Sequence, residues 1–357
     1  MNRVGWQRGP SDCPGLPEPA EWPRVTPAEA GLDPGALESV AERIERRELE
    51  NVHALLVVRG GKLAFERYFA GEDALWAEPA KPATFDAGAL HDVRSVSKSV
   101  VGALVGIAHG EGALPDLDAP IARFFPVHAR GRESALAGRT LRHALTMSAG
   151  LAWDELTHPY YDPRNDEHGL WLAADPLAYG LSRRPVAAPG AAFAYNGSLP
   201  VVLAQVVEQA TGVPFDRYAV EKLWCPLGVT RAEWVQHPSG VIVSASGLRL
   251  TPRAMARFGQ MMLDGGRFAG RQIVPPDYAR ASLEAQVTLP AGFGGATGYG
   301  YLWWIGQLPV ASGNGGQRIV LDRETGTVIV TTAGLYDSPR QGEVPMQVVA
   351  GVLAAYR

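Results

Sequence analysis

The stretch Asp92–Gly110, DVRSVSKSVVGALVGIAHG, sets a lysine and three serines against an almost unbroken apolar run. A helix starting near Ser95 carries residues 95 and 98 one turn apart on the same face, which brings a hydroxyl and an amine within reach of each other. Val100–Ala108 is apolar on every side, so the helix is expected to be buried and Lys98 poorly solvated. Desolvation disfavours an ammonium, which predicts a lowered lysine pKa and an amine able to activate a serine nucleophile. The N–H groups of the helix start face any anion that forms beside Ser95. A bare Ser-x-x-Lys also reads as a capping serine with a snorkelling lysine. This one is the chain's only copy, and arginine carries nearly all the other positive charge, with four lysines among 33 basic residues.

Strands and helices can be placed outward from this helix. HALLVVRGGKLAFERYF holds two β-rich runs joined at Gly60-Gly61, a hairpin signal. Residues 1–49 read as a Pro-rich lead-in and a charged surface helix, ALESVAERIERREL. TLRHALTMSAG and LPVVLAQVVEQATG read as helices, with Thr140 and Ser198 at N-cap positions and Gly212 past a C-terminus. Strand character returns in YGYLWWIG and in GGQRIVLDRETGTVIVTTAGLY, and VPMQVVAGVLAAYR reads as a closing helix. The expected fold class is α/β (α+β): an antiparallel sheet built from both chain ends (50–93 and 238–357) and flanked by helices. A mostly helical domain (94–237) is inserted, with the active site at the interface.

Composition narrows the function. The 357 residues are 46% hydrophobic with a formal net charge of -4, enough for a sizeable core and without the basic footprint of a nucleic-acid or anionic-membrane partner. No apolar run reaches the roughly 18 residues of a membrane span, and the N-terminus lacks the apolar centre of a secretory signal. The two cysteines, Cys13 and Cys225, give no disulfide framework, and a reducing, cytoplasmic setting is the expectation. No metal or cofactor motif is present, and none of the eight histidines falls in a Ser-His-Asp or His-Glu-x-x-His pattern. The expected partner is a small-molecule ester or amide, and the chain a monomer or homodimer.

RSVSKSVVGALVG resembles the serine β-lactamase and penicillin-binding-protein superfamily, on the side of class C β-lactamases, family VIII esterases and 6-aminohexanoate-dimer hydrolases. LLVVRGGKLAFERYF, TLRHALTMSAGLAWDE, FAYNGSLPVVLAQVVEQATG, SASGLRLTPRAMARFGQMMLDGG, YGYLWW and SGNGGQRIVLD follow in the family's order. The resemblance implies a β-lactamase/transpeptidase-like fold and catalysis through an acyl-enzyme by Ser95, Lys98 and Tyr195. In the family's Tyr-x-Asn motif, Tyr195 is matched, Gly197 stands in the third place and Asn196 one place early. The third motif, Lys-Thr-Gly or His-x-Gly, is aligned with Asn314-Gly315-Gly316, without a cation. Gly316 would let the strand approach closely, and the oxyanion donors would be the N–H groups of Ser95 and Gln317. By likeness to the loop of the nylon-oligomer hydrolases, Tyr160, Asp166 and Trp171 are expected at the substrate, Asp166 toward an amine. The function implied is a serine hydrolase of small carboxylic esters or linear amides. The alternatives are a weak class C-type β-lactamase, a D-aminopeptidase, and a non-catalytic binding or assembly module.

Overall fold

The computed structural model describes residues 1–9, 12–14, 16, 21–75, 78–129 and 136–357, so part of the expected lead-in lies outside the described residues. The apolar runs around the Gly60-Gly61 turn form β2 (Val52–Arg59) and β3 (Lys62–Tyr68). Both glycines take positive φ, 56° and 74°, as a tight hairpin requires. Five further strands follow late in the chain: β7 (Val287–Thr288), β8 (Gly298–Tyr299), β9 (Trp304–Ile305), β10 (Pro309–Gly313) and β11 (Gln317–Asp322). With β12 (Thr327–Ala333) they make an antiparallel sheet in the order β7-β8-β9-β10-β11-β12-β2-β3. Strands from both ends of the chain therefore share one sheet, the mixed fold the sequence implied.

Each face of this sheet is covered, which is why β2 reads as continuously apolar rather than alternating. Leu55 and Val57 meet Val320 and Ile329 under α1 (Pro34–Glu45) and the C-terminal helix Glu343–Leu353. Ala54, Leu56, Val58, Ile319 and Val328 turn the other way, toward Pro252–Leu263 and the motif helix α2 (Val96–Gly110). Helix α1 is thus not the surface element expected: Leu37, Val40, Ala41 and Ile44 are buried, and only its charged face is exposed. Its start is set locally, since Asp33 accepts from the N–H groups of Gly35 and Ala36 and Pro34 occupies the first turn.

A second sheet lies beside α2. The first residues of the lead-in form β1 (Asn2–Gln7), which pairs with β5 (Arg231–Gln236); β5 pairs with β6 (Leu248–Leu250), and β6 with β4 (His91–Asp92). Strand β4 runs directly into Ser95, so this sheet sets where α2 begins. The N-terminal segment is also held covalently by a disulfide between Cys13 and Cys225, Cα atoms 5.5 Å apart. This corrects the expectation of unpaired cysteines and removes its support for a reducing compartment. The residues are 212 apart in sequence, a spacing that carries no signal until β1 folds back onto β5. Among the described residues no helix is long and apolar enough to cross a membrane.

Candidate active site

Ser95 is the N-cap of α2 and is 9% exposed, with Val96–Ala108 behind it buried. The Lys98 Nζ donates to Ser95 Oγ at 2.9 Å and to the carbonyl of Ala245 at 3.2 Å. Tyr195 closes the group: its hydroxyl interacts with both Ser95 and Lys98, and its ring centroid lies 4.7 Å from the ammonium. Tyr195 ends the loop before α5 (Ser198–Thr211), where helix α3 (Leu141–Leu145) and α4 (Asp166–Leu172) also pack. Asn196 fixes this junction, because its Oδ1 accepts from the Ser198 N–H at 2.8 Å and from the Ser198 hydroxyl at 2.6 Å. The cap of α5 is therefore Gly197, one residue before the expected Ser198, and Asn196 holds the helix start rather than facing a substrate.

Two buried carboxyls missed by the sequence reading lie beneath Lys98. Glu155 Oε1 is 3.6 Å from Nζ, and Glu155 Oε2 accepts from the Gly197 N–H at 2.6 Å and the Trp153 indole at 2.8 Å. Glu167 accepts from Ser246 at 2.8 Å and Trp171 at 3.2 Å. Burial, then repulsion from Glu167, pushes Glu155 above the usual carboxylate range. Burial also opposes ionisation of Glu167, but Lys98 and the hydrogen bonds around it hold it below that range. For Lys98 the expectation of a lowered pKa is corrected: burial pulls it down, but Tyr195, Glu155 and Glu167 together hold it above the ordinary lysine value. Lys98 is a buried ammonium. Burial holds the phenol of Tyr195 above its ordinary value; Lys98 opposes that rise and Glu155 adds to it.

The strand edging the site is β10, and the residue against Ser95 is Gly313, not Gly316. A Cβ on Gly313 would lie 2.2 Å from the Val93 carbonyl oxygen and 3.2 Å from the Ser95 nitrogen. The motif-three position is therefore Ala311-Ser312-Gly313, three residues earlier than the alignment to Asn314-Gly315-Gly316. Gly316, at φ 100°, packs instead against Ala333 and Pro345. Gln317 is fully buried, opposes Gly313 across the β10–β11 ladder, and bonds the Ala333 backbone through its amide, so its N–H belongs to the sheet interior. The Asn314 side chain is tied to Asp337, donating at 2.7 Å and accepting at 2.9 Å.

The loop residues divide. Tyr160 is half-buried, and its phenol is raised first by burial and then by the charges of Glu155 and Glu167. Asp166 is already satisfied by Arg183 at 2.6 Å, the Asp154 N–H at 2.7 Å and Tyr179 at 3.3 Å, so it anchors the loop and is not an open acid for an amine. Trp171 is buried with Leu170, Val201, Val235 and Val243 and orients Glu167. Beside Tyr195, Trp304 stacks at 5.2 Å and continues into Phe293 and Phe193, an aromatic wall along one side of the site.

Comparison with known proteins agrees with this geometry. The β-lactamase family model matches residues 41–346. A 6-aminohexanoate-dimer hydrolase of Paenarthrobacter ureafaciens is 29% identical over 329 residues, covering 86% of this chain and 79% of that protein. A Bacillus anthracis structure provisionally named a 6-aminohexanoate-dimer hydrolase superposes with a TM-score of 0.76 at 20% identity, over 98% of this chain and 89% of its own. EstCE1, a hydrolase with promiscuous acyltransferase activity, gives 0.69 at 17% identity, over 89% of this chain and 98% of its own. The two structures share the fold, and the family model spans the motif helix α2 and every residue of the Ser95 site. The chain belongs to the β-lactamase family and is a hydrolytic enzyme of the serine type.

Proposed function

We propose that the protein hydrolyses small carboxylic esters, and linear amides more slowly, through an acyl-enzyme on Ser95. The observation that carries this reading is the convergence of Lys98 and Tyr195 on one serine beside the uncovered edge of β10. Strand β9 meets β10 only at Pro309 and Val310, so among the described residues no strand pairs with β10 beyond Val310 on the side away from β11. The Gly313 carbonyl is turned toward β11 and accepts from the Gly316 N–H. In a trans peptide the N–H points opposite the C=O, so the Asn314 N–H is aimed at the open edge, one residue past the Gly313 that lies against Ser95. The N–H groups of Ser95 and Asn314 are the oxyanion donors in this reading.

In the reaction, Ser95 Oγ bonds to the acyl carbon while its proton passes to the Tyr195 oxygen, in the phenolate form stabilised by the Lys98 ammonium. Tyr195 returns that proton to the leaving oxygen or nitrogen as the acyl bond breaks. Water then repeats the sequence and frees the acid. Because alkoxides and phenoxides leave more readily than amines, esters need this machinery and little anchoring. Ala311-Ser312-Gly313 presents no cation to a substrate carboxylate, which disfavours β-lactams. The similarity to a 6-aminohexanoate-dimer hydrolase supports linear amides as the second substrate class.

The test compares kcat/KM for short p-nitrophenyl esters, a linear amide and nitrocefin. Esters are expected first and nitrocefin last, with mass spectrometry finding the acyl adduct on the Ser95 peptide and none in Ser95→Ala. Faster turnover of nitrocefin than of p-nitrophenyl butyrate would replace the ester reading with a lactamase one. An adduct on Ser97 or Ser99 would remove Ser95 from the mechanism.

A further inference from the structure

Behind the open edge of β10 lies a cation held by backbone carbonyls. Arg318 is 7% exposed, and its Nη1 donates to the carbonyls of Gly313 and Gln317, both at 2.8 Å, while Nη2 donates to the carbonyl of Gln341 at 2.9 Å. Among the described residues no Asp or Glu forms a salt bridge with it. Gln341 returns to the same turn, its Oε1 accepting from the Gly315 N–H at 3.0 Å. Burial pulls the guanidinium down to about 10, so it stays charged at neutral pH, and the group that raises it is Tyr195 in the active site. A buried guanidinium satisfied only by carbonyls costs desolvation that no ion pair offsets. Tying a turn together needs only a neutral donor. What the charge adds is an electric field, and its first recipient is the carbonyl of Gly313.

That carbonyl belongs to the same planar unit as the Asn314 N–H. A charged donor on the oxygen draws electron density toward it and leaves the N–H more positive, so the hydrogen bond made at the far end strengthens. We propose that Arg318 is a positioning residue for the oxyanion site. Bound behind β10, it aligns and polarises the Gly313–Asn314 peptide so that the Asn314 N–H binds the oxygen of a Ser95-linked acyl group more strongly. The inference rests on the proposed acyl-enzyme at Ser95 with Asn314 as second donor. It assigns to a residue under the strand the positive field that Ala311-Ser312-Gly313 lacks.

The carbonyl stretch of the acyl-enzyme reads this directly, because polarisation at the oxyanion site lowers its frequency. The measurement is infrared difference spectroscopy on enzyme acylated with a slowly hydrolysed ester carrying a 13C carbonyl, in wild type, Arg318→Lys, Arg318→Gln and Arg318→Met. In wild type the band is expected well below that of the same ester in water. In R318Q and R318M, with the adduct still on Ser95 by mass spectrometry, it moves back up and kcat falls by about tenfold or more, with KM little changed. R318K keeps the charge and stays near wild type. A band at the same frequency in wild type and in a folded R318M or R318Q overturns the role of Arg318 while leaving the hydrolase reading intact. If neither neutral variant folds, wild type still decides: a band at the frequency of the ester in water overturns the proposal. Absence of a Ser95 adduct in wild type overturns the acyl-enzyme reading and this inference with it.

Discussion

Removing the charge at position 98 leaves Glu155 and Glu167 facing each other with no cation above them. In Lys98→Met both carboxyls are pushed up by burial, so the folded state holds protons that the unfolded chain releases, and stability falls as pH rises from about 5 toward 8. At pH 8 the loss should reach the roughly 3–5 kcal/mol of a broken buried pair, and it should shrink near pH 5; thermal melts at the two values test this. Adding Glu155→Gln removes one of the stranded carboxyls, so the double variant should be more stable at pH 8 than Lys98→Met alone. On its own, Glu155→Gln takes away a group that raises the Tyr195 phenol. The rise of kcat/KM with pH, set by formation of the phenolate, should therefore move to lower pH; an unmoved profile would exclude the phenolate as the proton acceptor. Ser95 and Lys98 were legible in the sequence because one helical turn joins them. Glu155 and Glu167 were not, because one sits in a loop and the other in the first turn of the short helix α4, and only the tertiary fold turns them inward onto Lys98. The sign of the lysine shift was lost with them.

Glycines decide how closely the elements around the site approach. In α2 a Cβ on Gly106 would lie 2.5 Å from the ring of Tyr278, whose hydroxyl donates to the Gly102 carbonyl at 2.7 Å. Ala is better than Gly in a helix by about 1 kcal/mol, yet here the ring is fully packed and cannot retreat. Gly106→Ala should therefore destabilise, by about 1–3 kcal/mol in chemical denaturation, against its helix propensity. Gly313→Ala is a sharper case, because the obstacle is the Val93 carbonyl, backbone that cannot rotate away. Strand β10 would have to move off Ser95, and kcat should drop by roughly a hundredfold or more, the cost of misplacing an oxyanion donor. Gly316→Ala meets Ala333 and Pro345 instead, so it should lower stability more than it lowers kcat in the folded fraction. This pair separates the two alignments of the third motif. In sequence, Ser312-Gly313-Asn314-Gly315-Gly316 offers a glycine at several registers and no charged residue to fix the choice. The strand's distance from Ser95 settles it.

At the scale of the molecule, the sheet shared by both chain ends was readable from its hairpins and apolar runs, which are local signals. The N-terminal strap was not, because Asn2–Gln7 shows little apolar patterning and gains its pairing from β5, far along the chain. The strap runs from β1 through Cys13 to Cys225 and encloses α2, α4 and α5 within one covalent loop. Closing so long a loop restricts the unfolded chain far more than the folded one, and this is the main source of a disulfide's stabilisation in the chain-entropy account. Reduction, or Cys13→Ser with Cys225→Ser, should therefore lower global stability by about 2–4 kcal/mol. Activity of the folded fraction should persist, since neither cysteine touches Ser95, Lys98 or Tyr195. Thiol titration of the unreduced protein in denaturant checks the premise before any melt is run: no reactive thiol is expected, and two would show that the strap is held by strand pairing alone. If the bond is present but its reduction leaves the denaturation midpoint unchanged, the cross-link joins segments that already stay close in the unfolded chain.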